Sequence, residues 1–127
     1  MKVNLRTSLA LLAGVALGAV AVDGLHAQAS PPTYAIIDDS AITDPAGYAA
    51  IGPKGGPSVA AFGGKFVMRT DKITASDGTP PKRIVVIGFE NLAQAKAWRA
   101  SHAMQEIWAI QEKTSKSRIF FVEGLMP

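Results

Sequence analysis

The chain has 127 residues, 13 of them basic and 10 acidic, a formal charge of +3 and no cysteine. So small an excess of positive charge excludes the basic face that nucleic-acid-binding domains present. Without thiols there can be no disulfide staple, cysteine nucleophile or thiolate metal site.

In chain order, residues 1–29 come first and read as a secretory signal peptide. Lys2 and Arg6 form a basic start, Leu9 to Val22 carry no charge, and Ala27-Gln28-Ala29 supplies the small-x-small pattern for cleavage after Ala29. The uncharged run from Thr7 to Val22 is 16 residues, short of the roughly 20 that a spanning helix needs. A retained anchor is the alternative. There is no Cys for a lipid anchor, and Lys2 and Arg6 are not adjacent, so the Sec route into a periplasm or the medium is expected. Cleavage leaves residues 30–127, with a charge of +2 and no membrane segment. These 98 residues make one small domain with a thin core, stabilised by its own packing or by a partner subunit.

Ser30-Pro31-Pro32 is an extended spacer, and Thr33 to Asp38 a first strand. Asp44 can cap a helix whose first turn accepts Pro45 and which carries Tyr48 and Ile51. Gly52-Pro53-Lys54-Gly55-Gly56-Pro57 predicts an interruption. The helix resumes at Ser58 and ends at Phe62, with Gly63 as its left-handed stop. Lys65 to Thr70 is a second strand, and Asp71 to Pro81 a hairpin connection holding Asp77-Gly78 and Pro80-Pro81. Arg83 to Phe89 is the clearest strand. Asn91 and Gln94 form a variant capping box that opens a helix from Leu92 to His102. A further helical piece from Met104 to Lys113 follows, with or without a kink near Ser101-His102, and Ser117 to Val122 is the last strand. The order β-α-β-β-α-β predicts an α+β, ferredoxin-like sandwich.

Two of these strands are apolar on both faces. Val85, Ile87 and Phe89 alternate with Ile84 and Val86, and Ile119 and Phe121 with Phe120 and Val122. Two helices cover only one face of a four-stranded sheet, whereas a solvated face would alternate with polar residues. The expected cover for the second face is the sheet of another copy, giving a homodimer through sheet faces. The alternative is that the C-terminal tail or the Asp71–Pro81 connection folds over it.

Three stretches carry a family resemblance. They are Thr43-Asp44-Pro45-x-x-Tyr48, Phe62-Gly63-Gly64-Lys65-Phe66-x-x-Arg69, and Pro81-Lys82-Arg83-x-Val85-Val86-Ile87-x-Phe89. With Ala95-Lys96-Ala97-Trp98-x-x-Ser101 and Val122-Glu123-Gly124, they resemble the family called "domain of unknown function 1330" over Tyr34 to Leu125. The resemblance implies the dimeric α/β-barrel superfamily, in which ferredoxin-like units face each other across a two-fold axis, and it implies no established activity. Gly88 stands where an acidic residue is common in the family, Met104 where an aromatic is, and Gly55-Gly56 is unusually glycine-rich.

His102 is the only histidine after the leader, so it is the one candidate for imidazole chemistry. One helical turn past Trp98, it would share a face with that ring as a cavity base, or simply sit at a helix end. Metal binding is not expected, because Asp38-Asp39 is the only adjacent carboxylate pair. Strict alternation puts Arg69 beside Val67 and Asp71, opposite Phe66 and Met68. There it would either pair with Asp38, Asp71 or Glu123, or anchor an anionic ligand. Arg83 would face the same cleft or lie at a solvated strand end. Tyr34 and Tyr48 are pocket candidates that core packing would also explain. Gly63-Gly64 follows a helix and precedes a strand, the reverse of a phosphate loop, and no G-x-S-x-G is present.

Three functions fit these residues. One is a binding protein that holds a small apolar or weakly acidic molecule between sheet and helices, with Tyr34, Asp38, Tyr48, Arg69, Arg83, Trp98 and His102 as candidate ligand contacts. Another is a cofactor-independent enzyme of the monooxygenase, isomerase or dehydratase kind, with His102 as candidate catalyst. The last is a structural or accessory dimer. Outside the cytoplasm NAD and ATP are not freely supplied, so no cofactor is expected.

Overall fold

Strand β1 (Thr33–Ile42) is one of two inner strands of the sheet in the computed structural model, which describes residues 30–125. It pairs antiparallel with β3 (Arg83–Phe89) on one side and β4 (Ser115–Glu123) on the other. Strand β2 (Lys65–Thr70) pairs antiparallel with β3, so the sheet runs β2-β3-β1-β4. Two of the connections are helical: α1 (Pro45–Tyr48), a 3-10 turn (Ala49–Ile51) and α2 (Gly52–Ala60) after β1, then α3 (Leu92–Ala100) and α4 (His102–Thr114) after β3. This is the α+β, ferredoxin-like architecture. Among the described residues no helix is long and apolar enough to cross a membrane. Residues 1–29, where the leader is expected, lie outside the described residues.

The period-2 pattern of the strands decides which face is covered. Thr33, Ala35, Ile37 and Asp39 of β1 are buried, as are Val85, Ile87 and Phe89 of β3. Against them pack Val59 of α2, Ala95 and Trp98 of α3, and Met104 and Ile107 of α4. Full burial of such large side chains contributes roughly 1.5–3 kcal/mol each. The other face carries Tyr34, Ile36, Ile84 and Val86, with Val67 58%, Met68 50%, Phe120 39% and Val122 41% exposed.

Asp44 caps α1 by accepting from the Gly47 N–H at 3.1 Å, with Pro45 in the first turn. Asn91 caps α3 by accepting from Gln94 N at 2.9 Å, and Gln94 Oε1 reaches back to Glu90 N. Gly63 takes φ 71° at the end of the first helical stretch.

Four expectations need correcting. First, Gly52 to Pro57 is helical rather than interrupted. Pro53 falls in the first turn of α2, where no N–H is needed, and proline's fixed φ is one that a helix uses. Second, Ser101 adopts ψ 155° and separates α3 from α4, so no helix runs from Leu92 to His102. Third, β1 and β4 extend to Ile42 and Ser115, with an irregularity between Asp39 and Ala41. Fourth, β2 bulges at Val67, because Phe66 pairs with Ile87 and Met68 with Val86. An extra residue in one strand reverses the alternation beyond it. Arg69 therefore lies on the helix side with Phe66, not beside Val67.

Candidate functional site

The first helical stretch sets one wall of a cavity. Tyr48, Ile51, Gly52, Gly55, Ser58 and Val59 recur at helical spacing and all line it. Ile37, Val85 and Ile87 of the sheet form its floor, and Trp98, Met104 and Ile107 its far wall. The cavity has a volume of about 270 Å³. Its floor residues are buried, whereas Ala49, Gly52 and Arg69 are exposed and Gly55 and Phe66 half-buried. The mouth therefore opens between the helical stretch and edge strand β2.

One end of the floor is polar. The strand register aligns Ser117, Asp39 and Arg83 in a row across β4, β1 and β3. Asp39 is fully buried and takes the Tyr48 hydroxyl on Oδ2 at 2.5 Å and the Ser117 hydroxyl on Oδ1. Ser117 also lies 3.0 Å from Gln111 Oε1, another buried lining group. Burial, and then the hydrogen bond to Asp39 and its charge, hold the Tyr48 phenol well above its ordinary value, with Arg83 pulling the other way. Tyr48 is therefore a neutral group in this site.

The Arg83 guanidinium lies 6.0 Å from the centre of the Tyr48 ring, and its buried Nε has no hydrogen-bond acceptor. Arg69 lies over the Phe66 ring at 4.4 Å. Among the described residues neither arginine forms an ion pair with a carboxylate. The salt bridge from Arg69 to Asp38, Asp71 or Glu123 is therefore not made. Trp98 is 1% exposed, donates from Nε1 to Ser58 Oγ at 3.3 Å and packs 5.3 Å from Phe89.

Of the residues singled out from the sequence, Tyr48, Arg69, Arg83 and Trp98 come together here. Tyr34 and Asp38 do not, because their strand positions turn them to the opposite face. Asp38 Oδ2 is held there by Arg118 Nε and Nη2, each at 3.0 Å. His102 is also outside the cavity. The break at Ser101 swings it away from Trp98, leaving its side chain 86% exposed and 3.2 Å from Glu106. Asp39, Gln111 and Ser58 line or support the site without having been singled out. Asp39 was legible as the next member of the Thr33, Ala35, Ile37 series, and Gln111 as the continuation of Met104 and Ile107 at helical spacing. Among the described residues no three His, Asp or Glu side chains come together as a metal-donor set.

No curated protein matches the chain. Several solved structures share its fold. A protein of unknown function from Rhodopseudomonas palustris is 17% identical with a TM-score of 0.61, over 77% of this chain and 85% of that one. SnoaB, a cofactor-independent oxygenase from Streptomyces nogalater, is 11% identical with a TM-score of 0.56, over 77% and 97%. A dimeric ferredoxin-like protein of unknown function from Thermobifida fusca is 11% identical with a TM-score of 0.55, over 75% and 92%. At these identities the likeness is one of fold. The family model for the domain of unknown function DUF1330 matches residues 32–125, nearly all of the described chain, and the protein belongs to that family.

Proposed function

We propose that this protein is exported, forms a homodimer through the open faces of two sheets, and holds a small apolar or weakly acidic molecule in the cavity between sheet and helices. The observation that carries the binding reading is the cavity, with Ile37, Val85, Ile87 and Trp98 as apolar walls and Tyr48, Arg69 and Arg83 as polar groups. Ligand sites have this composition, and the volume is close to their lower bound of ~300 Å³. Ordinary packing leaves few voids larger than a water molecule. The dimer reading is supported by Val67, Met68, Phe120 and Val122, which are all exposed on one face. The export reading is supported by the layout of Lys2, Arg6, the uncharged run and Ala27-Gln28-Ala29.

A second reading, cofactor-independent catalysis, is favoured by the Tyr48–Asp39 hydrogen bond at the cavity wall. A carboxylate reached through a hydroxyl is a proton acceptor for an acidic substrate. In this reading the Tyr48–Asp39 pair takes the role for which His102 was the candidate.

Native mass spectrometry of the full chain, purified after expression in a bacterial host, tests export and assembly together. The expected species is a dimer of chains beginning at Ser30. An intact leader removes cleavage in favour of the retained anchor, and a monomer removes the dimer. Calorimetric titration with 2-naphthol, an apolar weak acid, tests the site and should show saturable binding. Failure of 2-naphthol and of its carboxylate and amide counterparts to bind would leave an accessory dimer without a site.

A further inference from the structure

The polar end of the cavity holds more positive than negative charge. Each oxygen of Asp39 accepts one hydroxyl, Oδ2 that of Tyr48 and Oδ1 that of Ser117. Arg83, its neighbour across the strands, bonds neither oxygen and keeps a buried Nε–H without an acceptor. Arg69 faces the same side from β2, opposite Val85, and has only the Phe66 ring beneath it. Two guanidinium groups against one carboxylate leave one positive charge uncompensated. Tyr48, whose phenol is held in its neutral form, does not offset it. A buried donor without an acceptor is costly, and a planar guanidinium fork matches a carboxylate.

We infer that the ligand of this cavity is a monoanion, a carboxylate on an apolar ring system, with its acid group against Arg83 and Arg69 and its body over Ile87 and Trp98. This rests on the binding reading above and goes beyond it by fixing the charge of the ligand. A neutral molecule of the same shape would offer Arg83 an acceptor but leave the positive charge uncompensated, and a cation would add a third positive charge to the same end.

The test compares three probes of one shape on the full chain by calorimetry at neutral pH: 2-naphthoate, 2-naphthamide and 2-naphthylmethylammonium. 2-Naphthoate should bind at least about tenfold more tightly than 2-naphthamide, the range of a hydrogen bond to a charged group. The ammonium should bind weakest. Arg83→Gln should abolish the preference for the anion, weakening 2-naphthoate far more than 2-naphthamide, because the amide loses one neutral acceptor contact and the anion a charged one. If the thermal melt shows that Arg83→Gln has not folded, Arg83→Lys serves instead and should lose most of the preference, because lysine lacks the planar fork. Equal or tighter binding of 2-naphthamide by the unaltered chain overturns the inference while leaving the cavity a binding site. So does an anion preference that survives the Arg83 variant. Failure of all three probes and of 2-naphthol overturns the binding reading itself.

Discussion

The Tyr48 hydroxyl donates to the Asp39 carboxylate at 2.5 Å, tying the first helical turn to the buried face of inner strand β1. The two residues are nine apart in sequence, with the Asp44 cap and Pro45 between them. Tyr48→Phe removes the donor and leaves Asp39 Oδ2 buried without it. The expected loss is about 1–3 kcal/mol. It should appear as a lower urea midpoint with an unchanged slope, since the area exposed on unfolding does not change. A midpoint equal to that of the unaltered chain would mean that the bond does not stabilise the fold.

The same pair sets an alkaline limb of stability. An unfolded chain releases the Tyr48 proton near pH 10, whereas the folded chain holds it to higher pH because the phenol is buried beside Asp39. Above about pH 10 the unfolded state therefore binds fewer protons, and stability falls as pH rises. Below that value both states hold the proton, and this contribution is complete. Thermal melts across the alkaline range should decline more steeply for the unaltered chain than for Tyr48→Phe. Parallel declines would be the contrary result.

Gly55 stands at the cavity mouth inside α2, where glycine costs up to about 1 kcal/mol relative to alanine. A Cβ there meets only Phe66 Cζ, at 3.9 Å, an ordinary contact. Gly55→Ala should therefore stabilise by roughly 0.5–1 kcal/mol. Gly55→Leu, with the helix still formed, should weaken 2-naphthol binding by narrowing the mouth. Destabilisation by Gly55→Ala would show that the backbone needs glycine for folding. Unaltered binding to Gly55→Leu would place the entrance elsewhere.

The sequence carried the parts of this fold that follow from local pattern. The strands Lys65–Thr70 and Arg83–Phe89, the Asn91 cap and the two-faced apolar pattern were all readable, because each rests on alternation or on a side chain bonding its own backbone. What escaped depends on single-residue events. One extra residue at Val67 moves Arg69 to the other face, and one extended ψ at Ser101 separates His102 from Trp98. Val67 announces no such departure, whereas Ser101 is a favoured N-cap residue, so a kink there was legible but not its full break. The Gly- and Pro-rich run misled in the opposite direction. Its prolines fit helical φ, and packing of Ser58 and Val59 against the core holds the segment in place.

Ser101 serves two helices. Its hydroxyl donates to the Trp98 carbonyl at 2.6 Å, closing α3, and accepts from Met104 N at 3.2 Å, opening α4. Trp98 and Met104 are each 1% exposed, so this turn fixes two core side chains that also line the cavity. Ser101→Ala should cost about 0.5–2 kcal/mol, read from urea denaturation. Ser101→Asp restores the acceptor for Met104 N but not the donor to Trp98, and should recover only part of the loss. Full recovery would assign the whole effect to the α4 cap.

The open sheet face gives the last prediction its form. Phe120 and Val122 of β4 and Met68 of β2 stand on the side away from the helices, and the Arg118 guanidinium lies 5.4 Å from the centre of the Phe120 ring. If a second sheet packs there, a carboxylate at position 120 would be buried at the interface, and the cation beside it, Arg118, is already held by Asp38. That cost exceeds the contribution of the contact it replaces. Phe120→Asp should therefore sediment as a monomer at concentrations where the unaltered chain is dimeric. Its monomer should still melt cooperatively, because Phe120 makes no part of the core between sheet and helices. Lys113→Gln, an exposed change on α4 that lowers the charge by the same one unit, serves as the control for charge alone and should leave the dimer intact. A Phe120→Asp chain that remains dimeric would show that the subunits meet through another surface.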